Sequence, residues 1–164
     1  MSDWNLPEVP FVTVGTVGEP GQRVFYIQVE AAGGSVAFKV EKAQVRALAT
    51  ALADILADLP TPDDVPSDLD LRAPVEADFV VGSIAISTWD DEAGRLYLVL
   101  EELVAEDAPE GSTARIGLDL AQVAALAIRG VALVESGRPP CPLCNGPMDP
   151  SGHVCPKSNG HVKH

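Results

Sequence analysis

The sequence predicts an α+β protein, in which a duplicated βββα unit forms one pseudo-twofold sheet-and-helix body and a small C-terminal zinc ribbon follows. Three observations lead there. Two long stretches align on each other without a gap, strand-like alternation precedes helix-like spacing in both, and all the cysteines fall within residues 141–164.

The repeat is clearest where Ser35–Ala49 lies on Thr113–Ala127, with Ala43-Gln44-Val45 matching Ala121-Gln122-Val123 and Ala47-Leu48-Ala49 matching Ala125-Leu126-Ala127. Upstream, Arg23–Glu30 lines up with Arg95–Glu102, and Val14-Gly15-Thr16 with Val81-Gly82-Ser83. Repeat one then spans about 11–59, a linker 60–72, and repeat two about 78–136. The body is 1–137 and the ribbon 138–164. Two such units predict a six-stranded antiparallel or mixed sheet with both helices on its apolar faces.

Taken in order, the glycines of residues 15–23 read as a hairpin turn. A second reading makes Thr16, Glu19, Gln22 and Arg23 a ligand or partner loop, with Arg23 as an anion clamp. This loop lacks the lysine and the strand-loop-helix setting of a phosphate-binding loop, so the hairpin is preferred. After the Gly33-Gly34 turn, Val36, Phe38 and Val40 alternate with Ser35, Ala37 and Lys39, as in a strand with one buried face. Val45, Leu48, Leu52, Ile55 and Leu59 then recur at helical spacing until Pro60. Residues 60–68 are rich in proline and aspartate and predict an exposed crossover.

In the second half, Val123, Leu126, Val131 and Val134 form the equivalent stripe, and Asp119 with Gln122 predicts a capping box. Trp4 is read as a packing residue. Trp89 is read as a packing residue too, with a second reading that sets it, beside Asp90-Asp91-Glu92, exposed at a hairpin tip, where a tryptophan can anchor a partner.

The chain carries a net charge of −13. Arg138, Lys157 and Lys163 against Asp149 leave residues 138–164 at +2 and the rest at −15. Such a body repels phosphate backbones, which argues against nucleic acid there, and GC-rich coding bias also produces this composition. The ribbon keeps a weak case for nucleic acid, but residues 138–164 contain no Phe, Tyr or Trp to stack on a base. No membrane span or leader is read from the chain, and clustered thiols without a long-range pair fit the cytoplasm.

Cys141 and Cys144 form a two-residue-spaced knuckle, and Gly152-His153-Val154-Cys155 supplies a second pair. Cys141, Cys144, His153 and Cys155 are the expected zinc ligands, with His161 as the alternative to His153. Four protein ligands close the coordination sphere, which makes the site structural rather than hydrolytic.

Residues 15–23, 40–45 and 137–160, above all the run Cys-Pro-Leu-Cys-Asn-Gly-Pro-Met-Asp-Pro-Ser-Gly-His-Val-Cys, carry a resemblance. The chain resembles the actinobacterial domain-of-unknown-function family 3090 over nearly its whole length. The family name records no activity. The resemblance implies that members are encoded beside a predicted histidine-type phosphatase and a predicted lipid-kinase-like protein, hence a shared pathway.

No nucleophile and base lie at catalytic spacing, all three histidines sit in the tail, and no serine occupies a Gly-x-Ser-x-Gly elbow. The function expected is therefore a non-enzymatic adaptor or regulatory protein that binds a protein partner and carries a structural zinc ribbon. The alternatives are a small-molecule or phosphate-handling enzyme or sensor that uses the loop 15–23, and a nucleic-acid-associated ribbon protein.

Overall fold

The apolar alternation of the sequence becomes strands, and the lengths of the connections dictate how those strands close. A computed structural model of the protein describes residues 3–19 and 21–136. In order they form β1 (Asp3–Leu6), β2 (Phe11–Val17), β3 (Val24–Ala31), β4 (Gly34–Val40), α1 (Lys42–Leu56), β5 (Ala77–Ile86), β6 (Arg95–Glu102), β7 (Thr113–Asp119) and α2 (Leu120–Ser136). The strands run β1-β7-β6-β5-β4-β3-β2 in one seven-stranded sheet. β1/β7 and β4/β5 are parallel, and the other neighbours are antiparallel.

The edge strands β1 and β2 are separated by residues 7–10 alone. Five residue steps reach at most about 18 Å. Six interstrand gaps of about 4.8 Å would hold the edges of a flat sheet about 29 Å apart. The sheet must therefore curl into a barrel, in which β1 and β2 are two halves of one N-terminal strand. Trp4 marks the closure, because its ring lies 5.8 Å from Phe38 of β4 and 5.8 Å from Phe79 of β5. The expected six strands are thus seven by count. The missed one is β1, whose four residues are too few for alternation to register.

β5 is shared in the same manner as the N-terminal strand. Its residues 77–80 pair with β4 and 81–86 with β6, just as 3–6 pair with β7 and 11–17 with β3. Phe38 opposite Phe79 corresponds to Ile116 opposite Leu6.

Register corrects the upstream alignment. Phe25 faces Val40 and Leu96 faces Leu118, so Phe25 corresponds to Leu96 and not to Tyr97. Likewise Val14 faces Ile27 and Ile86 faces Leu98, which makes Ile86, not Val81, the counterpart of Val14. The alignment had followed arginines and a Val-Gly pair. A slip of one residue exchanges the faces of a strand, and the buried residues Phe25, Ile27, Val29, Leu96, Leu98 and Leu100 decide the match.

Each helix opens on an acidic residue paired with a glutamine. Glu41 N–H donates to Gln44 Oε1 at 2.8 Å, and in α2 Gln122 N–H donates to Asp119 Oδ1 at 2.8 Å while Asp119 N–H donates to Gln122 Oε1. Val45, Leu48, Ala49 and Leu52 are buried from α1. From α2 the inward positions include Val123, Leu126, Ala127, Gly130 and Val134, whereas Val131 is 44% exposed, contrary to the expected stripe. Five positions beyond Leu126, Val131 has rotated off the buried face. Where the helices meet, a Cβ on Gly130 would lie 2.9 Å from that of Ala49, so glycine sets their approach.

At the barrel seam a Cβ on Gly117 would collide with the carbonyl of Pro7. Gly117→Val is expected to cost about 1–3 kcal/mol by overpacking, read by denaturant unfolding. A neutral effect would mean that the crossover 7–10 is not seated there.

Candidate partner-binding face

Residues 60–68 are mostly exposed, as the crossover reading requires, but Leu69–Arg72 is bound down. The outer face of β2 and β3 offers Thr13 and Gln28, both fully buried. Thr13 Oγ1 donates to the Leu69 carbonyl. The Gln28 amide takes both backbone groups of Arg72, donating to its carbonyl at 2.8 Å and accepting from its N–H at 2.8 Å. Leu69 packs with Phe11 and Ala125, and Leu71 rests on Gly15. The Arg72 guanidinium lies 3.7 Å from the Phe11 ring centroid and pairs with Glu30. Arg129 of α2 bridges to Asp70 and donates to the Val14 carbonyl. A strap of chain thus covers β2, β3 and the adjoining side of α2.

The corresponding surface beside α1 has no such cover among the described residues. By strand pairing and the helix alignment, Phe11 corresponds to Ser83, Thr13 to Ala85, Gln28 to Val99, Glu30 to Glu101, Ala125 to Ala47 and Arg129 to Ala51. Ala125 is 3% exposed, whereas Ala47, Ser83 and Ala85 are exposed. The capping glutamines are in matching places too: Gln44 Nε2 donates to the Val81 carbonyl and Gln122 Nε2 to that of Val9.

A cavity of about 360 Å³ lies on this face, lined by Gln44, Ala47, Leu48 and Ala51 of α1 with Ser83 and Ile84 of β5 among others. It adjoins a second of about 500 Å³, which shares Gly82 and Ser83 and is rimmed by Glu101, Glu102 and Glu110. Leu103, 63% exposed, and Val104 stand on that rim. Glu101 accepts from Ser83 Oγ at 2.9 Å, and Glu102 accepts from the Ser112 N–H at 2.8 Å. The result is an apolar trough of small side chains with an acidic end.

The site residues read from sequence fall elsewhere. Thr16 lies one residue before the end of β2, and Glu19 and Gln22 belong to the β2–β3 hairpin, where the Gln22 N–H donates to the Glu19 carbonyl at 2.9 Å. Gly18 and Gly21 take positive φ there. Arg23 donates to the Leu133 carbonyl at 2.9 Å and lies 5.0 Å from the Phe25 ring, so it ties the hairpin to α2. Trp89 is half-buried against the core rather than displayed. The exposed turn beyond it is held by Asp90 Oδ1, which accepts from the N–H groups of Glu92 and Ala93. Cys141, Cys144, His153, Cys155 and His161 lie outside the described residues. Among the described residues no group of three or more His, Cys, Asp or Glu is placed to hold a metal ion.

A further cavity of about 440 Å³ opens at the seam, lined by Pro7, Glu8, Arg95, Asp119 and Gln122 among others. Arg95 donates to Glu8 at 2.8 Å and to the Pro7 carbonyl. The bond to Glu8 raises the arginine's pKa further. Its charge is engaged in fastening the N-terminal strand.

The uncovered face was invisible to motif reading because alanine and serine carry no chemistry. It becomes evident only against the covered counterpart. Among the described residues no helix is long and apolar enough to cross a membrane.

The fold and this face define a small α+β barrel protein with an apolar trough beside α1. The chain matches the family model described as "Protein of unknown function (DUF3090)" over residues 4–155, and it belongs to that family. No curated protein and no solved structure matches it.

Proposed function

We propose that the protein is a cytoplasmic, non-enzymatic adaptor or regulatory subunit that receives a protein partner on the α1/β5 face. The observation carrying this reading is the contrast between two corresponding surfaces, one buried by Leu69–Arg72 and the other exposed with apolar walls. Exposed apolar troughs with polar rims are the ordinary mark of a protein interface. The shared pairing scheme, the matched capping glutamines and the sequence alignment support an origin by duplication of a βββα unit about a pseudo-twofold axis. On that view the second face lost its cover and gained a use. Arg23, which fastens the hairpin to α2, argues against the loop 15–23 as an anion site.

To test the face, the full chain is used as bait beside Ala51→Arg, which fills the trough from an accessible helix position. A stoichiometric partner held by the parent chain and lost from the variant, with unchanged thermal unfolding, is expected. Equal capture by both would remove this face from the function.

A structural zinc ion held by Cys141, Cys144, Cys155 and His153, or by His161 in its place, completes the reading. The family match extends through Cys155. Elemental analysis of protein purified without chelators is expected to give one zinc per chain. Substoichiometric metal with all three thiols titratable would contradict it.

A further inference from the structure

We propose that the partner presents an extended segment of alternating apolar residues followed by an arginine, and that this arginine pairs with Glu101. The inference rests on the partner-face reading above and adds the chemistry of what binds. Its template is within the molecule. On the covered face, Leu69 fills the space between β2 and α2 against Phe11 and Ala125, Leu71 rests on Gly15, and Arg72 reaches Glu30. A Leu-x-Leu-Arg segment therefore satisfies a trough of this shape in extended form.

On the open face, Ala47 and Ser83 replace Ala125 and Phe11, which leaves more room where the first apolar side chain would sit. Ala51 replaces Arg129, so no side chain equivalent to Arg129 reaches across to the edge of β5 there. The strand edge beyond residues 77–80 is free of β4, since β5 pairs with β4 only through 77–80. An extended peptide can then add main-chain hydrogen bonds along that edge, the usual economy of strand addition. Glu101 stands where Glu30 stands, with Glu102 and Glu110 beside it on the same rim. The carboxylates select a basic residue and disfavour an acidic one, which gives the site direction as well as charge preference. Val99 takes the place of Gln28 and cannot clasp a peptide backbone. The segment thus binds reversibly here, where the strap is fixed.

The probe is the strap's own sequence, Ser67–Pro74, synthesised with lysine at the positions of Asp68 and Asp70, and titrated into the full chain at low salt. Saturable one-to-one binding is expected, with slowed exchange of those amides of 82–86 that β6 leaves unpaired. Ala51→Arg and Glu101→Arg should each weaken it about tenfold or more, while Glu30→Gln leaves it unchanged. Peptide binding that is absent, or that survives both substitutions, overturns the proposal. If those amides of 82–86 that β6 leaves unpaired are already protected without peptide, a segment of the chain itself fills the trough. If that protection rises with protein concentration, a second copy does. Either result overturns the partner assignment. Loss of protein capture by Ala51→Arg together with no peptide binding would spare the partner face and sink only the proposed segment chemistry.

Discussion

Phe38→Ala is expected to lower stability by about 3–5 kcal/mol, the range for removing a buried aromatic side chain. Phe38 is fully buried and central to the barrel. Its ring touches those of Trp4 and Phe79, 5.8 and 4.8 Å away, and aromatic pairs add about 0.5–1.5 kcal/mol beyond area burial. The consequence goes beyond a cavity. Trp4 belongs to β1, so loss of Phe38 should loosen the N-terminal strand, and Trp4 fluorescence should change before global unfolding in a denaturant series. A loss near 1 kcal/mol with no separate Trp4 signal would mean that β1 does not close the barrel over Phe38. Because Trp89 also emits, the comparison is made in a Trp89→Phe background.

Leu48→Ala and Leu126→Ala are expected to cost about 2–5 kcal/mol each. The two leucines occupy corresponding helix positions and are 5% and 2% exposed. Leu48 also lines the trough, so its truncation should weaken partner capture as well as stability, whereas Leu126→Ala should affect stability alone. Denaturant midpoints combined with capture at a temperature where both variants are folded separate the two effects. A near-neutral result at either leucine would mean that its helix is not packed on the barrel.

Much of the architecture was legible because hydrophobic period survives without tertiary context. β4, both helices and the capping pair Asp119–Gln122 fall where alternation, helical spacing and cap chemistry place them. The fit of Gly130 against Ala49 is a contact between helices distant in sequence, and only the structure shows it. Other features depend on what lies across the fold. β1 is four residues long and is held by its neighbours β7 and Phe38, which are distant in sequence. The upstream alignment slipped because Val, Leu, Ile and Tyr substitute freely on a strand, and only the partner strand fixes which face is inward.

The linker shows a different limit. Its proline and aspartate content rightly marks residues 60–68 as exposed, yet the next residues are pinned by Gln28 and Thr13. A buried glutamine in a strand is the sequence signal for such a strap, because a buried amide must find partners. Trp89 packs, as its first reading has it. Proximity to three acidic residues offers exposure as the alternative, but the acidic turn projects while the indole folds back on the core.

The trough itself could be read only by comparison of the two halves. Its alanines and serine are unremarkable singly, and they acquire meaning because Ala125 and Phe11, the counterparts of Ala47 and Ser83, are buried against Leu69. The central claim is therefore spatial, and site-specific photo-cross-linking in living cells tests it most directly. A cross-linking residue at Ala47, which lines the trough, is expected to give one discrete adduct with a partner protein. The same residue at Ala53, exposed on α1 but not among the residues lining the trough, is expected to give none. Adducts of equal yield at both positions, or none at Ala47, would contradict the account.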